Sequence, residues 1–298
     1  MSGTLYIIGT PIGNLEDITM RQLRLLEEVD FIAAEDTRVT RKLLSHFDIH
    51  TPALSYHEHS GQNIAQNIVS RLLAGESCGV VTDAGMPCIS DPGEPLVQLC
   101  YEQGVPVEVV PGPSAVIAAL AVSGQHTARF TFEGFLSANA SQRRAHLESL
   151  REEQRTMVFY EAPHKLCRTL GDMLECFGGE REISLCRELT KVHEEVRRTT
   201  LAEAVAFYQQ TPPRGEFVLV VAGAVSREKP AVSLEEACEM VRQRIAGGEK
   251  RTQACKAVAA ETGFRKNQLY RKYIDLRSLF QAWGSSGHRG FFRSHGTV

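Results

Sequence analysis

Val80-Val81-Thr82-Asp83-Ala84-Gly85-Met86-Pro87-Cys88-Ile89-Ser90-Asp91-Pro92-Gly93 is the stretch whose reading decides the fold. An apolar run from Gly79 to Thr82 has the length of a buried strand, and it leads into a loop of two carboxylates, two glycines and two prolines. Glycine lets backbone approach a ligand closely, and proline holds a loop in one shape. Glu94 to Glu102 then takes up helical spacing. A rigid, Gly-rich loop after a buried strand is where open α/β sheets bind ligands, although Gly, Pro and Asp also make ordinary turns.

Upstream, Leu5 to Ile8 reads as a buried strand that leaves through Thr10-Pro11-Ile12-Gly13-Asn14. Thr19 is placed to cap a helix running to Glu28, whose leucines at 23, 25 and 26 give it an apolar face. Strands are predicted at Phe31–Ala34, Ala53–Tyr56 and Val105–Val110. Helices are predicted at Thr37–Phe47, Ile64–Leu73, Glu94–Gln103 and Ser114–Val122. This alternation is the βαβ pattern of a mostly parallel sheet.

Ser123-Gly124-Gln125 interrupts the pattern, so a first α/β domain is expected over 1–123 and a second over 124–228. In the second, Val196–Thr200 follows the strand Ile183–Cys186 without an intervening helix, which predicts antiparallel character. The polar run Ser137 to Arg144 reads as a mobile loop. Residues 233–276 form a third unit with helix-turn-helix patterning around Gly263, open to either nucleic-acid contact or plain helical packing. Residues 277–298 lack periodicity and are expected to be disordered.

The chain has 298 residues, 43% hydrophobic and 23% charged, the balance of a globular protein with room for two cores. Its start has no basic segment ahead of an apolar one, and no apolar run nears the ~20 residues of a membrane span, so a cytoplasmic protein is expected. The eight cysteines contain no Cys-x-x-Cys pair and read as reduced, mostly buried small hydrophobes. His57-Glu58-His59 is a weak metal motif lacking further ligands, and no metal is expected. Net charge is −3, but residues 242–298 hold twelve Lys/Arg against three Asp/Glu, a net of +9 on a body of −12. One basic end on an acidic body predicts a polyanionic partner, against the plainer reading of a solvated helix surface.

Neither a P-loop nor a Gly-x-Gly-x-x-Gly after a strand is present, which argues against nucleotide sites of those kinds. The 80–93 stretch occurs together with Tyr6-Ile7-Ile8-Gly9-Thr10-Pro11-Ile12-Gly13-Asn14-Leu15, Ala34-Glu35-Asp36-Thr37-Arg38, Pro111-Gly112-Pro113-Ser114-Ala115, Tyr160-Glu161-Ala162-Pro163-His164, Arg187-Glu188-Leu189-Thr190-Lys191 and Arg214-Gly215-Glu216-Phe217. In this order they resemble the ribosomal RNA small subunit methyltransferase I family, a branch of the tetrapyrrole-methylase superfamily. The resemblance covers roughly residues 4–275. It implies two α/β domains with S-adenosylmethionine in the cleft between them, and a homodimer. It also implies transfer of a methyl group to the ribose 2′-hydroxyl of a cytidine (cytidine 1402) in the decoding region of 16S rRNA in the small ribosomal subunit. Competing readings are a small-molecule methylase of the same fold and a non-catalytic, cofactor-sensing nucleic-acid-binding protein.

The resemblance places the cofactor on Pro11, on Ala84, Gly85 and Met86 (where the superfamily has Gly-Gly-Asp) with Pro87 and Ile89, on Ser114 and Ala115, and on Glu161 and Gly223. Met86 removes the usual acid, so Asp83 or Asp91 is expected to supply negative charge. A ribose hydroxyl is a weak nucleophile, so a base or polarising cation is expected. Among the strand-end candidates Glu35, Asp36, Arg38, Glu188 and Lys191, Asp36 is predicted as base, with Arg38 or Lys191 as partner to phosphate or oxyanion. A structural ion-pair network is the competing reading. His164 reads as a helix cap, with a base as its alternative. RNA contact is expected from Ser137–Arg144, Arg38, Arg41 and the basic C-terminal helices.

Overall fold

Each short apolar run in the first 123 residues becomes a strand, and each amphipathic run a helix. A computed structural model describes residues 2–57, 60, 62–91, 93–225 and 232–273. The first half comprises β1 (Leu5–Ile8), α1 (Met20–Glu28), β2 (Phe31–Ala34), α2 (Thr37–His46), β3 (Ala53–Ser55), α3 (Gln62–Leu73), β4 (Cys78–Val81), α4 (Glu94–Glu102), β5 (Val107–Val110) and α5 (Ala115–Ser123). The strands form one parallel sheet in the order β3-β2-β4-β1-β5. Every residue of β2 and β4 is buried, as expected of a parallel sheet covered on both faces. Thr19 caps α1 as the sequence predicts, in a reciprocal capping box with Gln22.

The second sheet has the order β6-β7-β10-β8-β9. Its elements are β6 (Phe130–Phe135), α6 (Ala140–Ser149), β7 (Thr156–Glu161), α7 (Pro163–Phe177), β8 (Glu182–Arg187), β9 (Glu195–Thr200), α8 (Leu201–Gln210) and β10 (Phe217–Val221). Only β6 and β7 pair in parallel; the other neighbours are antiparallel, in keeping with the direct β8–β9 succession. α5 buries one face, where Val116, Ala119 and Leu120 pack with Val158, Cys186, Val218 and Val220 of the second sheet, while Ile117 and Val122 on its other face are exposed. Ser184 Oγ also donates to the Ser123 carbonyl at 2.8 Å. Both sheets lie in one compact unit that runs to Ala224. The expected boundary falls where Gly124 ends α5 in the left-handed conformation (φ 70°).

The loop expected at Ser137–Arg144 is instead mostly helix. Asn139 caps α6 by accepting from the backbone N–H groups of Ser141 and Gln142. Arg143, expected to face RNA, is buried and donates to Asp172 of α7 at 2.7 Å and to the carbonyls of Ser137 and Ala138. The charge that suggested a solvated loop is the anchor of the helix. One other expectation also changes. His164 makes no cap, since the capping position is Ala162 and His164 itself is exposed. Cys167 is exposed among otherwise buried or half-buried cysteines.

A second unit begins at Val225. In it α9 (Leu234–Ala246) and α10 (Arg251–Thr262) are followed, after left-handed Gly263, by helical residues 266–273. Its core is Ala237, Cys238, Val241, Ala254, Cys255, Val258 and Leu269. Residues 277–298 and Glu58 and His59 of the histidine motif lie outside the described residues.

Burial alone would raise the Asp172 carboxyl, but hydrogen bonds from Arg143 and Arg144 hold it below its ordinary range. Asp172→Ala would leave a buried guanidinium unpaired, a loss of about 3–5 kcal/mol. Replacing both partners, Arg143→Met with Asp172→Leu, should recover much of it. Urea denaturation at neutral pH checks both outcomes.

Candidate functional site

The strand order puts β4 beside β1, so the loops leaving them meet at the carboxyl edge of the sheet. Thr10 and Gly85 exchange backbone hydrogen bonds at 2.8 and 3.1 Å. Thr10 Oγ1 also donates to the Thr82 carbonyl at 3.2 Å. The loop after β5 joins them through glycine. A Cβ on Gly9 would stand 2.8 Å from Gly112 Cα and from Met86 Sδ, and one on Gly112 would stand 2.2 Å from Gln22 Nε2. Met86 accepts from the Gly112 N–H through sulfur at 3.2 Å and so ties two loops together. Pro11, Gly85, Met86 and Pro87 are thereby gathered, with Ala84 exposed beside them and Ile89 exposed farther along the loop.

Carboxylates crowd the β2 and β4 ends. Asp36 caps α2 and is gripped by Arg38; the guanidinium bonds, then the Arg38 backbone N–H, hold its carboxyl down to about 2. Asp83 accepts from the Asp36 N–H at 3.1 Å. Burial and the neighbouring Glu35 push the Asp83 carboxyl up. Asp91 is half-buried, and burial followed by repulsion from Glu35 pushes it to about 6. Thr82 faces both Glu35 and Asp91 but has one hydroxyl proton, which it gives to Glu35 at 2.6 Å. Asp36, predicted as base, is therefore a weaker proton acceptor than Asp83 or Asp91, and Asp91 is raised toward neutrality.

From the second sheet comes the β8–β9 connection. Glu188 and Thr190 both adopt left-handed backbone (φ 51° and 67°), uncommon for residues with side chains and costly enough to need local support. That support is visible. Glu188 accepts from the Glu216 N–H at 2.9 Å, and Lys191 bridges Glu188 and Glu216 at 3.0 and 2.9 Å. Burial opposes the Lys191 charge, but these two carboxylates raise its pKa overall. Gly13 and Gly215 supply the clearance: a Cβ on either would lie 2.5 Å from the side chain of Lys191 or Glu188 respectively.

Between these loops lies a cavity of about 470 Å³ walled by Ile12, Pro111, Pro113, Ser114, Ala118 and Thr190. Thr190 Oγ1 is buried there without a hydrogen-bond partner, and Ser114, in the capping position of α5, makes no capping bond. Apolar walls with uncommitted hydroxyls suit a planar, hydroxyl-bearing ligand. Glu161 reaches this end of the sheet, but its carboxylate is buried and already engaged by Thr169 and by the Ala162 N–H. Gly223 does not reach it. β10 runs antiparallel to β7, so Phe217 pairs with Glu161 while Gly223 lies past the far end, roughly 20 Å of strand away. There a Cβ would meet the Gln154 carbonyl at 1.9 Å, so this glycine serves packing. Ile12 and Thr190 are the contributions that sequence reasoning missed. Among the described residues no cluster of His, Cys, Asp and Glu could hold a metal ion.

Residues 4–205 match the family model of the Tetrapyrrole (Corrin/Porphyrin) Methylases. Solved structures agree on the fold: cobalt precorrin-4 methyltransferase (TM-score 0.55, 20% identity, 73% of this chain and 94% of that one) and diphthine synthase (TM-score 0.57, 13% identity, 74% and 90%). Over 276 residues the chain is 46% identical to ribosomal RNA small subunit methyltransferase I of Synechocystis, covering 93% of this chain and 99% of the relative. It is 45% identical to the protein of that name from Pseudomonas aeruginosa, covering 92% and 97%. The chain belongs to the ribosomal RNA small subunit methyltransferase I family, within the tetrapyrrole methylases.

A carboxyl raised on folding opposes folding once it ionises. The Asp91 contribution is thus intact below pH 4 and is lost as pH rises through about 6. Asp91→Asn should be more stable than the parent at pH 8 by about 1–3 kcal/mol and equal to it at pH 4. Parallel urea titrations at the two pH values check this; a pH-independent difference would contradict it.

Proposed function

We propose that the chain transfers a methyl group from S-adenosylmethionine to the ribose 2′-hydroxyl of cytidine 1402 in the decoding region of 16S rRNA. The observation that carries the reading is the match along more than nine-tenths of the chain to relatives named for small-subunit rRNA methylation. The cavity fits the cofactor on two counts: the buried Thr190 hydroxyl has no partner, and the Gly9–Gly112 approach keeps side chains out from between the loops. Ser114, Ala115 and the backbone of Ala84–Met86 would hold it, with Thr190 adding a hydroxyl contact. When bound, the cofactor supplies an electrophilic methyl group.

The remaining work falls to the chain's own side chains. A carboxylate that accepts the ribose proton typically contributes 10²- to 10⁴-fold. Asp91 suits that task better than Asp36, which Arg38 holds ionised and weakly basic. Arg38, with 85% of its side chain exposed, keeps its pair with Asp36 while the solvent side of its guanidinium faces an rRNA phosphate. Lys191 is held by two carboxylates and keeps the β8–β9 loop over Gly13, a positioning role. In the second unit Lys250, Lys256, Arg265, Lys266 and Arg271 are exposed, and they supply the salt-sensitive phosphate contacts. Exposed Val109, Ile117 and Val122 on β5 and α5 favour a chain–chain contact, in line with a homodimer. No helix among the described residues is long and apolar enough to cross a membrane, consistent with work in the cytoplasm.

Tritiated S-adenosylmethionine incubated with 30S subunits lacking the modification should label one cytidine ribose, located by mass spectrometry. Thr190→Val should weaken cofactor binding about 2- to 10-fold by calorimetry, the worth of one net hydrogen bond, with a melting temperature of the free protein no lower than the parent's, because the hydroxyl lost is unpartnered there. Absence of rRNA label, or label on a tetrapyrrole instead, would overturn the reading.

A further inference from the structure

The end of β6 carries a feature that the cofactor cavity does not use. β6 pairs with β7 in step from Phe130 opposite Thr156 to Phe132 opposite Val158, and then resumes with Gly134 opposite Phe159 and Phe135 opposite Tyr160. Glu133 is the extra residue of a β-bulge. Side chains alternate between faces, so one inserted residue moves everything after it to the other face. Without the bulge Phe135 would share the face of Met157 and Phe159, which are fully buried in the core of this half. With it, Phe135 stands on the face of Val158 and Tyr160 and is 57% exposed. The same slip carries Leu136 into the core of Met157 and Phe159, where it is 3% exposed, and leaves the Phe135 ring turned outward.

The ring is also braced. Phe135 lies on Tyr160 with centroids 5.3 Å apart, and Tyr160 lies against Phe132 at 5.0 Å. The bulge abuts the signature loop: Gly134 is left-handed (φ 64°), and a Cβ there would stand 3.2 Å from Ser90 Oγ. On that loop Cys88 and Ser90 are themselves left-handed (φ 68° and 61°), and backbone strain of this kind collects at binding sites. Asp91 is close enough to help burial raise the Tyr160 phenol. An aromatic face set out beside a proton-accepting carboxylate is the arrangement needed to hold a base while its own ribose reacts.

We propose that Phe135 is the stacking platform for the unpaired base of the acceptor nucleotide. This rests on the rRNA reading given above. Sequence-selective RNA recognition works largely on unstacked bases laid on aromatic side chains, and an enzyme acting on one nucleotide must lift it from its neighbours. A single braced ring beside a polar loop matches one base. A protein partner would call for a broad contiguous apolar patch.

Two measurements separate the platform from the reaction. The first is rRNA methyl transfer; the second is quenching of a pyrrolocytosine-labelled, single-stranded oligonucleotide with the decoding-region sequence, which needs no catalysis. Phe135→Leu keeps apolar volume without a π face, and Phe135→Tyr keeps the ring. The Leu variant should lose about 10- to 100-fold in kcat/KM for 30S subunits and lose the quench, with S-adenosylmethionine affinity and melting temperature unchanged. The Tyr variant should stay within about threefold of the parent. If the parent quenches through Phe135 yet methylates no rRNA, the platform stands and the reaction assigned above falls. A Leu variant that matches the parent in transfer and quench overturns the platform while leaving the reaction intact. A changed oligomeric mass in the Leu variant assigns the ring to a chain–chain contact and overturns it as well.

Discussion

The side-chain-free approach of Gly9 to Gly112 is the constraint on which the rest depends. β1 and β5 are parallel neighbours, so the loops leaving them start about 5 Å apart, and any side chain at either glycine would force them apart. With both bare, the Thr10–Gly85 pair can close, Met86 can reach the Gly112 N–H, and Gln22 can donate to the Gly9 carbonyl at 2.6 Å. Three loops from three strands then behave as one surface. An uncharged Met86 serves there because it joins that surface through the Gly112 N–H.

Strain is distributed with the same logic. Apart from Asp48, every non-glycine residue with left-handed backbone among the described residues lies in one of two loops, Cys88 and Ser90 in one, Glu188 and Thr190 in the other. Neither loop is loose. The first is tied through Gly85 to Thr10 and through Met86 to Gly112, the second by the Glu188–Lys191–Glu216 bridge. Surroundings that over-determine a conformation let it persist against its local cost, and side chains then stand ready in directions that a relaxed loop would not hold.

The fold was largely legible in the sequence because its signals are local. Alternating apolar and amphipathic runs mark the strands and helices, and Thr19 with Gln22 three residues later marks a helix start. What was misread depended on partners far along the chain. Arg143 looks solvated until Asp172, 29 positions away, is found beside it. Gly223 looks like a ligand-approach glycine until antiparallel pairing puts it at the wrong end of its strand. Much of the site was legible as motif and little of it as chemistry. The motifs name Asp36 and Lys191, but only geometry shows the first disarmed by Arg38 and the second tethered between carboxylates. The unpartnered Thr190 hydroxyl and the turned-out Phe135 come from a backbone sign and a one-residue slip in register, which no residue type announces.

α5 joins the two halves of the first unit, and its character limits how they move. Its first residues help frame the cavity, while its body is sunk into the second sheet through Val116, Ala119 and Leu120. Burial of each large side chain is worth about 1.5–3 kcal/mol, so peeling the helix away would cost several kcal/mol. Any pivot between the halves therefore falls in residues 111–114, ahead of the helix, and α5 belongs mechanically to the second sheet.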